Sequence, residues 1–272
     1  MSLKEAKRLS KQGQQKLAAG DFEGAIAKFQ QALKFNTKDS SALANLGEIM
    51  VKLGNCEKAI SYFEQALSSE PKDAGVWNGY GVALSELGRY EDAIFSFDQS
   101  LKHRSDNFGA LRNRGMMLFC LGRYEEAIHS FDEVLGYKPD DPTTWNIRGT
   151  ILAKLNRPQE ALISIEQALD YKKDEPEFWC NRSDVLNQLE QWEEAIKSCD
   201  RALEIDPNYS DTWSNRGAIL NNLERYQEAL DAAEKGILTA PQKAHGWYVK
   251  GYALNGLTRY EEAIESYDQA LH

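Results

Sequence analysis

The feature that most constrains this chain is an alanine that recurs every 34 residues. It occurs eight times without an insertion or deletion, at Ala25, Ala59, Ala93, Ala127, Ala161, Ala195, Ala229 and Ala263. A fixed period of this length indicates tandem repeats that stack on one another, because one short repeat cannot bury its apolar face alone. If this alanine is position 20, the repeats begin at residues 6, 40, 74, 108, 142, 176, 210 and 244, and the eighth is truncated. We expect residues 1–272 to form a single solenoid domain.

Each repeat has the pattern of two helices. In the third repeat, apolar residues from Val76 to Leu87 recur at steps of three and four, and a second such series runs from Tyr90 to Leu101. Glycine at position 15 of the first four repeats ends the first helix, and acidic residues then open the second. The residues that precede several first helices are suited to cap them, namely Asp39, Asp73, Asn107 and Asp141.

The residue pattern within each repeat resembles the tetratricopeptide repeat family, in a form similar to bacterial arrays. The third repeat carries the resemblance most clearly, with Trp77, Gly81, Tyr90, Ala93 and Phe97. The resemblance covers almost the whole chain. It implies an all-α fold, a right-handed superhelical solenoid of antiparallel helix pairs whose first helices line a concave groove. It also implies an interaction scaffold and not an enzyme.

The composition excludes several classes of function. The chain carries 42 acidic and 32 basic residues, a net charge of −10, which disfavours nucleic acid because binding there depends on neutralising phosphates. It has no apolar run near the roughly 18 residues that span a bilayer, so we expect no membrane insertion. Its four histidines and four cysteines show no zinc or catalytic spacing, so we expect no metal, no cofactor and no catalysis. The dispersed cysteines favour reduced thiols and a cytoplasmic location.

The side chains expected to face the groove lie opposite positions 4, 8 and 11 of the first helix, at positions 2, 5, 6, 9, 12 and 13. An asparagine there can donate and accept at once, and can therefore bond both sides of an extended peptide backbone. The alternative is that asparagine is only a tolerated polar surface residue. Apolar and aromatic residues on the same stripe would anchor a partner. The candidate groove residues are Asn45, Asn78, Arg112, Asn113, Met116, Asn146, Asn181, Asn215, Tyr248 and Tyr252.

Basic residues at position 7 form a second series, which begins at Arg114 and ends at Lys250. Position 25 of the preceding repeat is acidic in register, as Asp98 is for Arg114. We therefore expect ion pairs between repeats. The alternative is a basic ladder that grips an acidic peptide in the groove.

Three hypotheses for function remain open. The first is a scaffold that binds a protein or peptide of unknown identity in the groove, although no three successive repeats carry the residues of the chaperone-tail clamp known in this family. The second is the regulatory or targeting arm of a larger enzyme or signalling protein. The third is self-association through an uncapped C-terminal end.

The seventh repeat differs from the others in its second helix, where Ala229, Ala232, Ala233 and Gly236 replace larger side chains. Small residues leave fewer contacts if the helices keep their usual spacing. We expect the junction between the seventh and eighth repeats to be more loosely packed than the others.

Overall fold

The computed structural model describes residues 3–271, and the residues in this range form helices and turns with no strand. They belong to two compact units, Met1–Tyr137 and Lys138–His272. Each unit contains four of the predicted helix pairs. The expectation of a single solenoid domain over residues 1–272 remains a prediction.

The helices follow the repeat boundaries. Odd-numbered helices are the first helix of a repeat and even-numbered helices are the second. The first compact unit contains α1 (Leu3–Ala18), α2 (Phe22–Phe35), α3 (Ser40–Lys52), α4 (Cys56–Ser69), α5 (Ala74–Glu86), α6 (Tyr90–His103), α7 (Phe108–Cys120) and α8 (Tyr124–Tyr137). The second contains α9 (Pro142–Lys154), α10 (Pro158–Tyr171), α11 (Pro176–Gln188), α12 (Trp192–Ile205), α13 (Ser210–Asn222), α14 (Tyr226–Thr239), α15 (Ala244–Gly256) and α16 (Tyr260–Leu271).

Within each compact unit, every helix packs on the next one along the chain, which confirms an all-α solenoid of antiparallel helix pairs. First helices of successive repeats also contact one another, as α3 contacts α5 and α13 contacts α15. No comparable contacts join the second helices in the described part of the chain. Helices on the inside of a curved stack lie closer together than those outside, so the first helices form the inner side of each unit. We call the surface at positions 2, 5, 6, 9, 12 and 13 of these helices the inner face.

In the first four repeats and the eighth, the two helices approach closely because a glycine of the first helix lies against an aromatic ring of the second. A Cβ added to Gly47 would lie 2.6 Å from Cε1 of Phe63, and one added to Gly81 would lie 2.6 Å from Cε1 of Phe97. Both rings are almost completely buried. The alanine that recurs every 34 residues is buried in all eight repeats. The glycine, the alanine and the ring together fix the spacing of the hairpin.

The predicted ion pairs between repeats are confirmed. Arg114 Nε donates to Asp98 Oδ1 at 2.6 Å, and Arg182 Nη2 lies 3.0 Å from Glu166 Oε1. Arg182 Nη1 also donates to the hydroxyl of Ser198 at 2.8 Å. These guanidiniums hold neighbouring helices together, so they are not the ladder for an acidic peptide that the alternative required. The same arrangement joins Arg216 to Asp200 and Lys250 to Glu234.

The tryptophans at position 4 fasten the loop that precedes their own helix. In each case the indole Nε1 donates to a backbone carbonyl six residues earlier, as Trp77 does to Pro71 at 2.9 Å. The ring itself packs half-buried between helices. The tryptophans that bond in this way are Trp77, Trp145, Trp179, Trp213 and Trp247.

The expectation of a loose junction between the last two repeats is wrong. Helices α14 and α15 contact each other more extensively than any other pair of successive repeats within a compact unit. Gly236 approaches α13 so closely that a Cβ would lie 3.0 Å from Ser214 Oγ. The small residues of α14 therefore allow its neighbours to move closer and do not leave a void.

In the turn between the two helices of a repeat, the residue at position 15 adopts the left-handed backbone conformation. The next N–H bonds back to the carbonyl of position 11, as Arg89 does to Leu84 at 3.0 Å, which is a Schellman cap. In the first four repeats this residue is a glycine with φ between 72° and 77°. In the last four repeats it carries a side chain, and φ stays positive at Asn156, Glu190, Glu224 and Thr258. A Cβ is strained in this conformation, most of all when it is branched.

We expect Thr258→Gly to stabilise the chain by about 1 kcal/mol, because glycine adopts the positive φ of 61° without a Cβ clash. The measurement is chemical denaturation at 25 °C. Thr258→Ala is the matched control, since it removes the branch but keeps the Cβ, and it should gain less. A Thr258→Gly variant that is less stable than the parent would show that the turn is not strained.

Candidate functional site

In the first compact unit, all five predicted groove residues lie on the inner face. The amide of Asn45 is used locally, since its Nδ2 donates to the carbonyl of Ser41 at 2.7 Å. The Oδ1 of Asn78 is buried and has no hydrogen-bond partner. Arg112 is exposed and the other four are half-buried. The five are Asn45, Asn78, Arg112, Asn113 and Met116.

A cavity of about 220 Å³ opens on this part of the inner face, between α3 and α5. It forms because Gly79 occupies position 6, where most repeats carry a longer side chain, directly above the ring of Phe63. A Cβ at residue 79 would lie 2.8 Å from Phe63 Cζ. The cavity has an apolar floor and a polar rim. It is lined by Glu48, Val51, Lys52, Phe63, Gly75, Asn78, Gly79 and Val82.

In the second compact unit, two of the predicted asparagines are buried. Asn146 is 2% exposed; its Nδ2 donates to Glu177 Oε1 at 3.1 Å and its Oδ1 accepts from Asn181 Nδ2 at 2.9 Å. Asn215 is also buried and donates to Cys180 Sγ at 3.3 Å. These amides bond first helices to one another, so the expectation that Asn146 and Asn215 face a groove is wrong. Asn181 remains half-buried on the inner face.

Two predicted tyrosines are the large exposed side chains of the inner face of α15. Tyr248 and Tyr252 lie one helical turn apart and are 54% and 44% exposed. The ring of Tyr248 is held from behind by Tyr267, with the ring centroids 5.8 Å apart. Tyr252 stacks on no other ring of the described residues, and it lines the cavity described next.

A cavity of about 150 Å³ lies beside these rings, between α13 and α15. Asn221 in its wall is only 6% exposed. The Nδ2 of Asn221 donates to the carbonyl of Val249 at 3.1 Å, but its Oδ1 has no hydrogen-bond partner. A buried acceptor without a donor is costly. It is lined by Ala218, Asn221, Asn222, His245, Tyr248, Val249 and Tyr252.

Three carboxylates on the inner face of the second compact unit were not among the predicted residues. Glu177 and Asp211 lie at position 2 of their repeats, and Asp184 lies at position 9. Successive residues of a helix are rotated by about 100°, which places these positions on the same stripe as the asparagines. The sequence therefore already indicated that these acids face the groove. The prediction selected asparagines and apolar residues from that stripe and omitted its acids.

The environment of Asp184 disfavours its negative charge. Burial against the neighbouring helices raises the pKa of Asp184 to about 6; the hydrogen bond from Asn215 lowers it and the charge of Asp211 raises it. The side chain of Asp184 is nevertheless exposed, so the desolvation comes from the helices that crowd around the carboxylate and not from a cover over it. Desolvation likewise lowers the pKa of His245, against the opposing effect of Asp211. Asp211 also accepts a hydrogen bond from Lys243 Nζ at 2.7 Å.

A larger cavity, of about 600 Å³, lies away from the inner face, between α10, α11 and α12. Two ion pairs form within its wall. Arg182 binds Glu166, and Lys197 Nζ lies 2.6 Å from Glu194 Oε1. These four charges are therefore already offset by one another.

The described residues contain no group of three or more His, Cys, Asp or Glu placed to hold a metal ion. Burial raises the pKa of the Cys180 thiol, and raises that of Cys199 to about 12. Both thiols therefore stay protonated and weakly nucleophilic. A search of residues 3–271 finds no helix with the length and apolar character needed to cross a membrane.

We expect Asp184→Asn to raise the melting temperature more at pH 7.5 than at pH 4. The raised folded-state pKa means that the ionised carboxylate opposes folding above pH 6, and that this effect disappears as the pH falls towards about 4, where the unfolded chain is also protonated. Thermal unfolding at both pH values measures the difference. Asp231→Asn, at an exposed site in the middle of α14, is the control. An equal change at both pH values would contradict the raised pKa.

Several solved structures share this fold. A tetratricopeptide repeat protein from Parabacteroides merdae superposes with a TM-score of 0.74 at 16% identity, over 85% of this chain and 91% of that one. YrrB, described as a TPR protein with an unusual peptide-binding site, has a TM-score of 0.57 at 23% identity, over 69% and 97%. A chain of the Cut9–Hcn1 hetero-tetramer of the APC/C superposes with a TM-score of 0.66 at 16% identity, over 95% of this chain and 51% of that one. No curated protein matches the chain in sequence.

Family sequence models match nearly the whole chain. One described as tetratricopeptide repeat matches residues 46–110, 84–142, 118–170 and 217–272. Two further models with the same description match residues 176–209 and 198–231, and a TPR repeat model matches residues 13–54. The eight-fold period, the helix pairs and these matches agree, and the chain belongs to the tetratricopeptide repeat family.

Proposed function

We propose that this chain is a non-catalytic scaffold that binds a peptide or an extended protein segment on its inner faces. The observation that carries the proposal is that each compact unit has a cavity of single-side-chain size on its inner face. Their volumes, about 220 Å³ and 150 Å³, are below the roughly 300–1,000 Å³ of small-molecule sites. Cavities of this size suit individual side chains of a polypeptide.

The character of the inner faces supports a polypeptide ligand. Exposed rings such as Tyr252 offer apolar contact, and exposed polar groups such as Arg112 offer hydrogen bonds. The proteins of similar fold include one described by its peptide-binding site and one that forms a hetero-tetramer. Both descriptions support association with protein partners, and the cytoplasmic location remains a prediction.

Selection of a displayed random dodecapeptide library on the full chain tests this function. We expect enriched peptides whose binding weakens at least fivefold in one of two inner-face variants. The first is Arg112→Ala with Met116→Ala, and the second is Asn181→Ala with Tyr252→Ala.

Each control removes one large exposed side chain from a second helix. Phe95→Ala serves the first compact unit, and Ile163→Ala serves the second, where the side chains are 57% and 61% exposed. These should leave binding unchanged. Enriched peptides that bind all variants equally, or no enrichment at all, would refute the inner faces as the binding surface.

A second candidate function is association with another copy of the chain through α16. Ile264 at position 21 is 60% exposed, whereas its equivalent Leu230 is 4% exposed beneath the following repeat. Leu271 on the same helix is 82% exposed. An apolar face of this kind favours burial against a partner.

The role of regulatory arm in a larger protein remains a prediction.

Light scattering over a concentration series from 5 to 500 μM tests self-association. We expect the mean mass to rise with concentration, and Ile264→Ser with Leu271→Ser to abolish the rise. Ile163→Ser, at an equally exposed site on α10, should not. A constant monomer mass at every concentration would remove this candidate.

A further inference from the structure

We infer that the inner face of the second compact unit binds a basic segment of its partner, an inference that rests on the proposed function. An arginine guanidinium of that segment would lie in the cavity between α13 and α15. The inference depends on four features of this face: its carboxylates, the unpaired acceptor of Asn221, the two tyrosine rings and the size of the cavity. The first three features come from different residues, and the cavity is the space that Asn221 and the two tyrosine rings help to enclose.

The carboxylates make this face attractive to a cation. Glu177, Asp184 and Asp211 lie on adjacent first helices, and the charge of Asp211 acts both on Asp184 and on His245 at the cavity wall. No cation of the described residues pairs with Asp184, whose charged neighbour is another acid. A partner cation would relieve the repulsion between Asp184 and Asp211 and would stabilise the ionised form of both.

The acceptor of Asn221 is an independent feature. The side chain is 6% exposed, lines the cavity, and keeps its Nδ2 on the carbonyl of Val249, so that its Oδ1 is the atom left without a partner. A ligand group that donates a hydrogen bond to this oxygen would remove the cost of leaving it unpaired. A carboxylate has no proton to donate at neutral pH, and an aliphatic side chain has none at any pH.

The tyrosines add a surface that suits a planar cation. Tyr248 and Tyr252 form part of the cavity wall and are about half exposed. The face of an aromatic ring attracts a cation, and arginine also stacks on it. Lys243 Nζ lies nearby but is engaged with Asp211 Oδ1 at 2.7 Å. In this structure its charge is therefore offset locally.

The size of the cavity and the donor requirement together favour arginine. A volume of about 150 Å³ is enough for one side-chain head group. The guanidinium presents five N–H donors in a flat fork, so it can donate to Asn221 Oδ1 while it lies against a tyrosine ring. Lysine supplies the charge as a compact ammonium, but it does not stack in this way.

Fluorescence anisotropy with a labelled dodecapeptide, (Gly-Ser-Arg)4, tests the inference on the full chain. We expect it to bind at least tenfold more tightly than (Gly-Ser-Glu)4, and more tightly than the neutral isostere in which citrulline replaces arginine. Asp184→Asn with Asp211→Asn should weaken it at least tenfold. Tyr252→Ala should weaken it about threefold or more.

Matched controls separate this site from the general attraction of an acidic protein for a basic peptide. Asp231→Asn with Glu265→Gln removes the same charge from exposed positions in the middle of second helices. Tyr171→Ala removes a tyrosine that is 50% exposed on α10. Both should change the affinity less than twofold, and equal weakening by the control and the Asp184–Asp211 variant would overturn the inference.

The library selection distinguishes failure of this inference from failure of the proposed function. If selected peptides depend on the inner face but carry no excess of arginine or lysine, the scaffold function stands and the basic-segment inference is overturned. If peptides rich in arginine are selected and depend on Asp184 and Tyr252, both are supported. If no peptide depends on the inner face, both fall.

Discussion

The close contact between the two helices of each repeat is the constraint on which the rest of the structure depends. In five of the repeats a glycine on the first helix, an alanine on the second and a large ring form a unit that tolerates little change, as Gly47 and Phe63 show. Burial of one such ring stabilises the hairpin by roughly 1.5–3 kcal/mol, which is far too little for a hairpin to fold alone. Each hairpin therefore needs its neighbour, and the order of repeats along the chain becomes the order of packing.

The contacts between neighbouring repeats then decide which charges remain available. The basic residues at position 7 are bound to acids of the preceding repeat, as Arg182 is to Glu166, and to serines of their own repeat. These ion pairs make the basic side chains at position 7 unavailable to a ligand. On the inner face of the second compact unit, Asp211 at position 2 is paired with Lys243, whereas the charged neighbour of Asp184 at position 9 is another acid. Asp184 is therefore an acid of that face whose charge no cation of the described residues offsets.

Much of the fold could be predicted because it depends on residues that are close in sequence. Helix starts follow local capping, and Asp73, for example, accepts from the N–H groups of Gly75 and Val76 as its position before α5 predicts. The ion pairs were predictable from a constant offset between positions 25 and 7. The looseness expected for the seventh repeat was wrong, because small side chains there permit a closer approach of whole helices, which no local pattern reports.

The candidate site was predicted only in part. The 100° rule selects the inner stripe correctly, but it does not say which members of that stripe a neighbouring helix will cover. Asn146 and Asn181 differ by one position within their repeats, and the first is buried while the second is only half-buried. The exposed Tyr252 was identified, whereas Asp184 and Asn221 gain their significance only from residues in the next repeat.

The sequence by itself therefore determined the repeat length, the helix pairs, their caps and the family, because each rests on periodic or local interactions. The tertiary structure decided which polar groups are hydrogen-bonded between helices and which remain available to a partner. It also decided where cavities form, as above Phe63 at Gly79 and beside Asn221 between α13 and α15. The physical reason is that burial depends on the distance between adjacent helices, and that distance is set jointly by small and large side chains from different repeats.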